Sequence, residues 1–336
     1  STDPFKDIYC SLVDTTTGKN HTFLITPHAH EFAVQQWGSE TFTFGHNSCP
    51  AGIELEDGGG SGSIGSHPEC RIAHGDLMAG MNIQGESGPF RRFSPLTMAI
   101  LLDTGFYDID YRKIQPLMWG NKGTNGGKHI ENFVMGIPDY VFPQQYIHRP
   151  YADPYYDQCG FDFKSFGPKS TIDISTREEY NCKGTSYNNY DITKAYCKAE
   201  NFYNPRRNTK IGGMWVYDFQ IINLPYNICA AGYACIGGMH SCAQYSIAAD
   251  EKSFTIQLLS RMPNTYFSYT CNSTNVGQNY TYREYLENGA YYTRTIRCPP
   301  FKQFISTVRM YENQRYLTSY PFTLSTDPAA PKPSPK

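Results

Sequence analysis

Eleven cysteines, spread from Cys10 to Cys298, restrict the folding of this chain more than any other feature. Three Asn-x-Ser/Thr sequons accompany them, at Asn20, Asn272 and Asn279. Dispersed cysteines together with sequons favour an oxidising compartment, in which cysteines pair as disulfides and such asparagines are glycosylated. We therefore predict a secreted or extracellular cell-surface glycoprotein. Because eleven is odd, one thiol stays out of these pairs or bonds to another chain.

The bulk composition argues against two kinds of partner. Lys and Arg number 29 and Asp and Glu 31, so the 336-residue chain has a formal net charge of −2 and no basic excess for nucleic acid. No run reaches the roughly 18 apolar residues that a membrane span needs. With 29 Gly, 22 Pro and 18% charged residues, the composition indicates a loop-rich globular protein.

The first part of the chain predicts short strands, one conspicuous turn and one helix. The segments HTFLIT and ETFTFGH alternate as strands do, and residues 1–56 are predicted to be strands and turns. Residues 57–66 are almost all Gly and Ser and predict a flexible or tight turn. The helix is expected after Ser94, which can cap it, with Pro95 at its first position and Gly105 at its end.

From about residue 116 the chain changes character. Pro, Gly, Asn and Tyr dominate, and eight of the cysteines follow residue 150, as in a disulfide-linked domain with little regular structure. The segments SFTIQLLSRM and TYFSYTC predict strands, and YREYLENGAYYTRTIRC predicts a hairpin turning at Asn288-Gly289. The tail DPAAPKPSPK, residues 327–336, is typical of a linker.

The glycine-rich turn leads into His67, and Met78 follows eleven positions later. A catalytic zinc needs three protein ligands and an open position for water. In metzincin peptidases a helical His-Glu-x-x-His supplies two ligands, a later histidine supplies the third, and a methionine-containing turn lies beneath the metal. His67 and Met78 match the second half of that arrangement.

Several blocks in the same order resemble the leishmanolysin family of metzincins. They are GIELEDGGGSGSIGSHPECRIAHGDLMAG, LTMAILLDTGFYDIDY and LMWGNKG, and the later FYNPRRNTKIGGMWVYDFQIINLPYNICAAGYAC resembles the family's cysteine-rich C-terminal domain. The similarity is dense over residues 49–120 and looser over 150–245. The resemblance implies that His67 is the third zinc ligand and that Met78 is the residue of the methionine turn.

The resemblance also implies an α+β fold, made of the C-terminal part of a metzincin catalytic domain and a disulfide-rich, mostly β and loop, C-terminal domain. On this basis we assign residues 1–60 to the family's inserted region and 61–115 to the third-ligand and methionine-turn segment. Residues 116–325 would form the cysteine-rich domain, and 326–336 a Pro/Lys tail.

The His-Glu-x-x-His segment is absent from this sequence; the nearest match, HAHEFAV, has no histidine three residues after His30-Glu31. We therefore expect no catalytic residue in this chain and zinc only if another chain supplies the remaining ligands. The first hypothesis is a secreted zinc metalloendopeptidase acting on proteins, completed by an N-terminal chain of the same precursor. The alternative is a catalytically inactive homologue that serves as an adhesive glycoprotein assembled from copies of itself.

Other titratable residues have simpler interpretations. His28 and His30 would share one face of a strand, where packing is favoured over metal binding because no third ligand is near. Glu54, Glu56 and Asp57 are expected to form a solvated acidic turn rather than a calcium site, since no EF-hand spacing is present. Asp103, at a helix C-terminus where a carboxylate is unfavourable, is expected to be kept by a structural hydrogen bond.

Overall fold

The structure is a computed structural model. It describes residues 8–13, 20–57, 64–79, 92–136, 141–143, 146, 159–166, 227–236, 242–259, 266–286 and 288–313. The tail at 327–336 and most of the block from 150 to 245 that resembles the cysteine-rich domain lie outside these residues.

A small sheet and a helix form the first part of the molecule. The strands are β1 Tyr9–Val13, β2 Asn20–Leu24, β3 Thr41–Phe44, β4 Asn47–Pro50 and β5 Ile53–Glu54. Antiparallel pairing orders one sheet as β1-β2-β5, while β3 and β4 form a hairpin. The segments HTFLIT and ETFTFGH are thus strands, as predicted, and a disulfide joins Cys10 of β1 to Cys49 of β4.

Helix α1, Pro27–Trp37, contradicts the prediction that this part of the chain contains only strands and turns. Pro27 begins the helix and Gly38, at φ 77°, ends it in the left-handed conformation. The buried side chains recur at helical spacing; they are Ala29, His30, Glu31, Phe32, Ala33, Gln36 and Trp37. His28 and His30 therefore lie on a helix, and the strand predicted for them is wrong.

Helix α3, Pro95–Asp103, matches the sequence-based prediction closely. Its N-cap is Ser94, whose Oγ accepts a hydrogen bond from the N–H of Leu96 at 3.1 Å. Gly105 takes φ 69° just beyond the end of the helix. The short helix α2, Cys70–Ala73, precedes α3, and both helices bury apolar side chains in the same core as α1.

The later part of the described chain is a second, mostly β, layer. Its strands are β6 Ser165–Phe166, β7 Asn227–Ile228, β8 Tyr233–Ala234, β9 Ala243–Ile247, β10 Ser253–Leu259, β11 Tyr266–Asn272, β12 Asn279–Tyr285 and β13 Tyr291–Arg297. One sheet has the order β11-β10-β9-β8, and β12 with β13 forms the predicted hairpin, with Gly289 at φ 81° in its turn. Helix α4, Phe301–Asn313, follows and was not predicted.

Stacked aromatic rings join the four-stranded sheet, the hairpin and α4 into a second core. Phe304 of α4 stacks on Phe254 of β10 with centroids 4.0 Å apart, and Tyr269 of β11 stacks on Tyr280 of β12 at 4.1 Å. Met310 of the same helix belongs to the first core, so α4 packs against both. The mixture of helices and small sheets confirms the α+β fold class.

Disulfides pair eight of the cysteines in the described residues. Besides Cys10–Cys49 they are Cys159–Cys235, Cys229–Cys242 and Cys271–Cys298. Cys70 of α2 is a fully buried thiol that takes part in none of these bonds. Cys182 and Cys197 lie outside the described residues.

In the part of the chain that the structure describes, no helix has both the length and the apolar character that crossing a membrane requires.

Candidate functional site

Backbone hydrogen bonds hold the segment containing His67 alongside the end of β5. The N–H of Glu56 donates to the carbonyl of His67 at 2.8 Å, and the N–H of Glu69 donates to the carbonyl of Glu54 at 2.9 Å. A β-bridge between Leu55 and Pro68 lies between these two bonds. The chain on either side of the glycine run is thus paired before α2 begins, while residues 58–63 of the predicted glycine-rich turn lie outside the described residues.

The imidazole of His67 is half-buried. Its Nδ1 lies 3.0 Å from Oγ of Ser66. A ring that is held through one nitrogen keeps its orientation and leaves the other nitrogen as the donor for a metal or a substrate. This arrangement is compatible with the predicted role of His67 as a ligand, which stays a prediction.

A buried ionic network lies directly behind this segment. Glu54 accepts hydrogen bonds on both carboxylate oxygens, one shared with Nδ1 of His21 and one donated by the guanidinium of Arg71. Arg71 also donates to the carbonyl of Val134, and its own carbonyl accepts the indole N–H of Trp119 at 2.7 Å. These contacts fix α2 against the core. They also pair the buried charge of Arg71, and a buried charge is tolerated only when it is paired.

The network overturns the prediction of a solvated acidic turn. Glu54 and Glu56 are 1% and 4% exposed, and Asp57 is half-buried. In the sequence these carboxylates stand beside a glycine run, which indicated that they would be exposed to solvent. Pairing of β5 with β2, and of residue 56 with residue 67, buries them instead.

Met78 lies in a tight turn directly after α2. Gly75 takes φ 87°, and the carboxylate of Asp76 accepts the N–H of Met78 at 2.8 Å. The same carboxylate accepts hydrogen bonds from the hydroxyls of Ser94 and Thr97. Met78 therefore lies in a turn, while its role as the residue of the methionine turn stays a prediction.

His74 begins this turn and is buried against aromatic rings. Its ring lies edge-on to Trp119, with centroids 5.1 Å apart, and 6.0 Å from the ring of Phe161. Burial lowers the pKa of His74 from 6.5 to about 4, so the imidazole is neutral at physiological pH. His74 consequently acts as a packing residue, and we assign it no ligand role.

One group of three potential metal ligands lies within the described residues, next to His67. It consists of Glu56, Asp57 and Glu69, whose carboxylate oxygens come within 4.8 Å of one another. Three carboxylates are hard oxygen donors of the kind that calcium prefers, whereas a catalytic zinc takes mainly nitrogen donors. His67 is not a member of this group, so the described residues fit one ligand position of a zinc centre and not a complete centre.

The other histidines considered from the sequence have structural partners. Nδ1 of His28 lies 2.7 Å from a carboxylate oxygen of Asp103, and Nδ1 of His30 lies 2.7 Å from the carbonyl of Ala51. Asp103 also accepts hydrogen bonds from the N–H groups of His28 and Ala29, each at 3.0 Å. The predicted structural hydrogen bond of Asp103 is confirmed, and its partner is the N-terminus of α1.

The three sequon asparagines lie on strands. Asn20 and Asn279 are exposed at the starts of β2 and β12. Asn272 ends β11 and is half-buried, with its Oδ1 accepting the N–H of Thr274 at 2.8 Å and the hydroxyl at 2.7 Å. Glycosylation at these sites stays a prediction.

Comparison with known proteins finds similarity in the first part of the chain. Residues 5–138 match the sequence model of the leishmanolysin family of peptidases. Leishmanolysin of Leishmania chagasi is 39% identical over 88 residues, which is 26% of this chain and 12% of that protein. The leishmanolysin-like peptidase of Drosophila melanogaster is 39% identical over 69 residues, covering 20% of this chain and 9% of that protein. No solved structure matches.

These matches confirm the resemblance seen in the sequence: residues 5–138 are similar to the leishmanolysin family. The matched stretch contains both His67 and Met78. The 88 residues aligned with leishmanolysin of Leishmania chagasi make up 12% of that protein, so the activity of such a whole enzyme is not carried over by the match itself.

Sequence reasoning missed the polar framework around the site. Arg71, Glu54 and His21 are far apart in sequence, and no spacing rule brings an arginine of one helix to a glutamate of a strand. Asp76 gave a stronger signal, because an aspartate two residues before Met78 and directly after a glycine is typical of a turn.

Proposed function

We propose that this chain supplies the third zinc ligand and the methionine turn of a leishmanolysin-like zinc metalloendopeptidase. The family match over residues 5–138 carries the proposal, because it includes His67 and Met78 in their expected order. His67 lies before the buried helix α2, and Met78 lies in the turn that follows this helix.

His67 is the ligand in this proposal, through the ring nitrogen that Ser66 does not engage. Met78 shapes the floor of the site from its turn. The other two histidines and the general-base glutamate come from a His-Glu-x-x-His segment, which this sequence lacks. We assign that segment to an N-terminal chain of the same precursor. Bound zinc would polarise a peptide carbonyl and activate water, so the substrates are proteins.

The domain division belongs to the same proposal. Residues 1–60 form the inserted region, 61–115 carry His67 and Met78, 116–325 are the cysteine-rich domain and 326–336 are the tail. The disulfides support an oxidising compartment. We accordingly propose secretion or display at the cell surface, with glycans on the sequon asparagines.

Co-purification tests this function. The protein is isolated without denaturant or reductant, and its polypeptides and zinc content are measured by native mass spectrometry and metal analysis. We expect a partner polypeptide carrying His-Glu-x-x-His and one zinc ion per complex. His67→Ala should abolish the zinc and the peptidase activity, while His46→Ala, which changes an exposed histidine of the β3–β4 turn, should leave both intact.

One observation favours the second candidate function, an adhesive or assembly-forming glycoprotein. The second layer exposes several tyrosines on and beside its hairpin; they are Tyr266, Tyr285, Tyr291 and Tyr292. Arg283 and Arg294 lie over the rings of Tyr291 and Tyr292, 4.6 and 4.8 Å from their centroids. Such surfaces bind proteins and sugars. A purified 38.1 kDa chain that assembles with identical copies and holds no zinc would support this function.

A further inference from the structure

The carboxylate of Asp76 joins the turn that bears Met78 to the first turn of α3. Oδ1 accepts the N–H of Met78 at 2.8 Å and the hydroxyl of Thr97 at 2.7 Å, and Oδ2 accepts the hydroxyl of Ser94. Ser94 is also the N-cap of α3. A single side chain therefore connects the methionine turn to a helix whose own start is fixed by the same serine.

The backbone of Asp76 is held as firmly as its side chain. Its N–H donates to the carbonyl of Ala73 at 2.9 Å, which continues the turn from α2. On either side, the N–H of Arg92 donates to the carbonyl of Gly75 at 2.8 Å, and the N–H of Leu77 donates to the carbonyl of Arg92 at 2.9 Å. The conformation of the turn is thus set by hydrogen bonds from two directions.

Among the described residues, no comparable anchoring of the Met78 side chain is seen. Its side chain is half-buried, and it is not among the half-buried apolar side chains that pack on the first core in the described part of the chain. Its neighbour Ala79 does pack there. The place of Met78 consequently follows from the backbone of the turn, which the carboxylate of Asp76 and the backbone of Arg92 hold from two sides.

The burial of Asp76 is otherwise costly. The residue is 3% exposed, and burial raises the pKa of its carboxyl while the hydrogen bonds from Ser94, Thr97 and Met78 lower it. A buried carboxylate is tolerated where several donors converge on it. The donors here are the amide of Met78, the hydroxyls of Ser94 and Thr97 and the backbone N–H of Thr97, so the carboxylate links the turn to the start of α3.

We propose that Asp76 is the positioning residue of the methionine turn, holding Met78 in its place directly after α2; the functional meaning of this role rests on the proposed function. Asp76 does not touch the metal or the substrate in this proposal. It acts through the amide of Met78 and through the start of α3.

Methyl NMR of the whole chain tests the proposal without requiring zinc. The nine methionines are labelled with ¹³C at their methyl carbons, and the Met78 signal is assigned by its loss in Met78→Leu. In Asp76→Asn we expect the Met78 signal to shift and broaden, because asparagine has one acceptor oxygen where aspartate has two, so the amide of Met78 and the hydroxyls of Ser94 and Thr97 no longer all keep an acceptor. The signal of Met310, which lies in α4 against Gly123, should stay in place.

Asp103→Asn is the matched control, since Asp103 is a carboxylate at the other end of α3 that also accepts several hydrogen bonds. Asp103→Asn should lower the melting temperature about as much as Asp76→Asn does, and it should leave the Met78 signal unmoved. If Asp76→Asn does not fold, Thr97→Val removes one donor and should shift the same signal by less. An unmoved Met78 signal in the folded variant, or an equal shift in Asp103→Asn, would overturn the proposal. A chain that binds no zinc would contradict the proposed function and leave this result intact.

Discussion

Asp103 ends helix α3 and caps helix α1, and its carboxylate lies 2.7 Å from Nδ1 of His28. The same carboxylate accepts hydrogen bonds from the backbone N–H groups of His28 and Ala29. A carboxylate at the C-terminus of its own helix is unfavourable, but at the N-terminus of another it is favourable. The α1–α3 contact therefore explains why an aspartate is tolerated there.

The first prediction concerns this cap. Asp103→Ala should lower the free energy of unfolding by about 2 kcal/mol, because Thr26, the N-cap residue of α1, makes no side-chain cap of its own. Denaturant unfolding measures the change. Asp108→Ala, which removes an exposed carboxylate, should have almost no effect. Equal losses in the two variants would show that Asp103 does not cap α1.

The second prediction concerns the pair of Glu54 and Arg71, both of which are buried. Glu54→Gln should cost about 3–5 kcal/mol, because it leaves the guanidinium of Arg71 without its counter-charge in the core. Thermal and denaturant unfolding measure the loss, with Glu251→Gln as the control, since Glu251 pairs with Arg309 on the surface. A loss below about 1 kcal/mol would mean that solvent reaches the pair.

The third prediction is a pH dependence from His74. The unfolded chain takes up this proton near the ordinary pKa of 6.5, whereas the folded chain takes it up only near 4. Protons therefore favour unfolding, and the free energy of unfolding should fall by on the order of 3 kcal/mol as the pH drops from about 6.5 to 4. Above pH 6.5 this contribution is constant.

His74→Gln removes the titrating group and should flatten that part of the pH profile of unfolding. The exposed His46→Gln should leave the wild-type slope unchanged. A His74→Gln profile as steep as that of the wild type would show that His74 is not buried in its neutral form.

The fourth prediction concerns Cys70. Because this thiol is fully buried in α2, it should resist alkylation in the native protein and react after denaturation without reductant. Peptide mass spectrometry reads the modification of Cys70 directly, and the eight paired cysteines of the described residues serve as internal controls. Rapid native alkylation, or a mixed disulfide at Cys70 with another chain, would contradict the described burial.

The sequence predicted the elements whose signals are local. Ser94, Pro95 and Gly105 delimit α3 as expected, and Asn288-Gly289 marks the hairpin turn. Helix α4 carried a usable signal in the spacing of Phe301, Phe304, Ile305 and Val308, but the proline-rich surroundings favoured loops. Helix α1 was missed because its histidines and short apolar run also suit a strand.

The site could be predicted only in part for a related reason. His67 and Met78 are adjacent features of one segment, so a resemblance can locate them. The burial of Glu54 and Glu56 depends on pairing with β2 and with the residues around His67, which are contacts between distant parts of the chain. Local composition cannot show such contacts. It therefore predicted solvent-exposed carboxylates where the structure has buried ones.

Zinc-edge anomalous diffraction from crystals of the purified native protein tests the central claim most directly. The account predicts a single zinc peak about 2.0–2.1 Å from a ring nitrogen of His67, with the remaining ligands supplied by a His-Glu-x-x-His segment. The absence of a peak at His67, or a peak among Glu56, Asp57 and Glu69 instead, would contradict it.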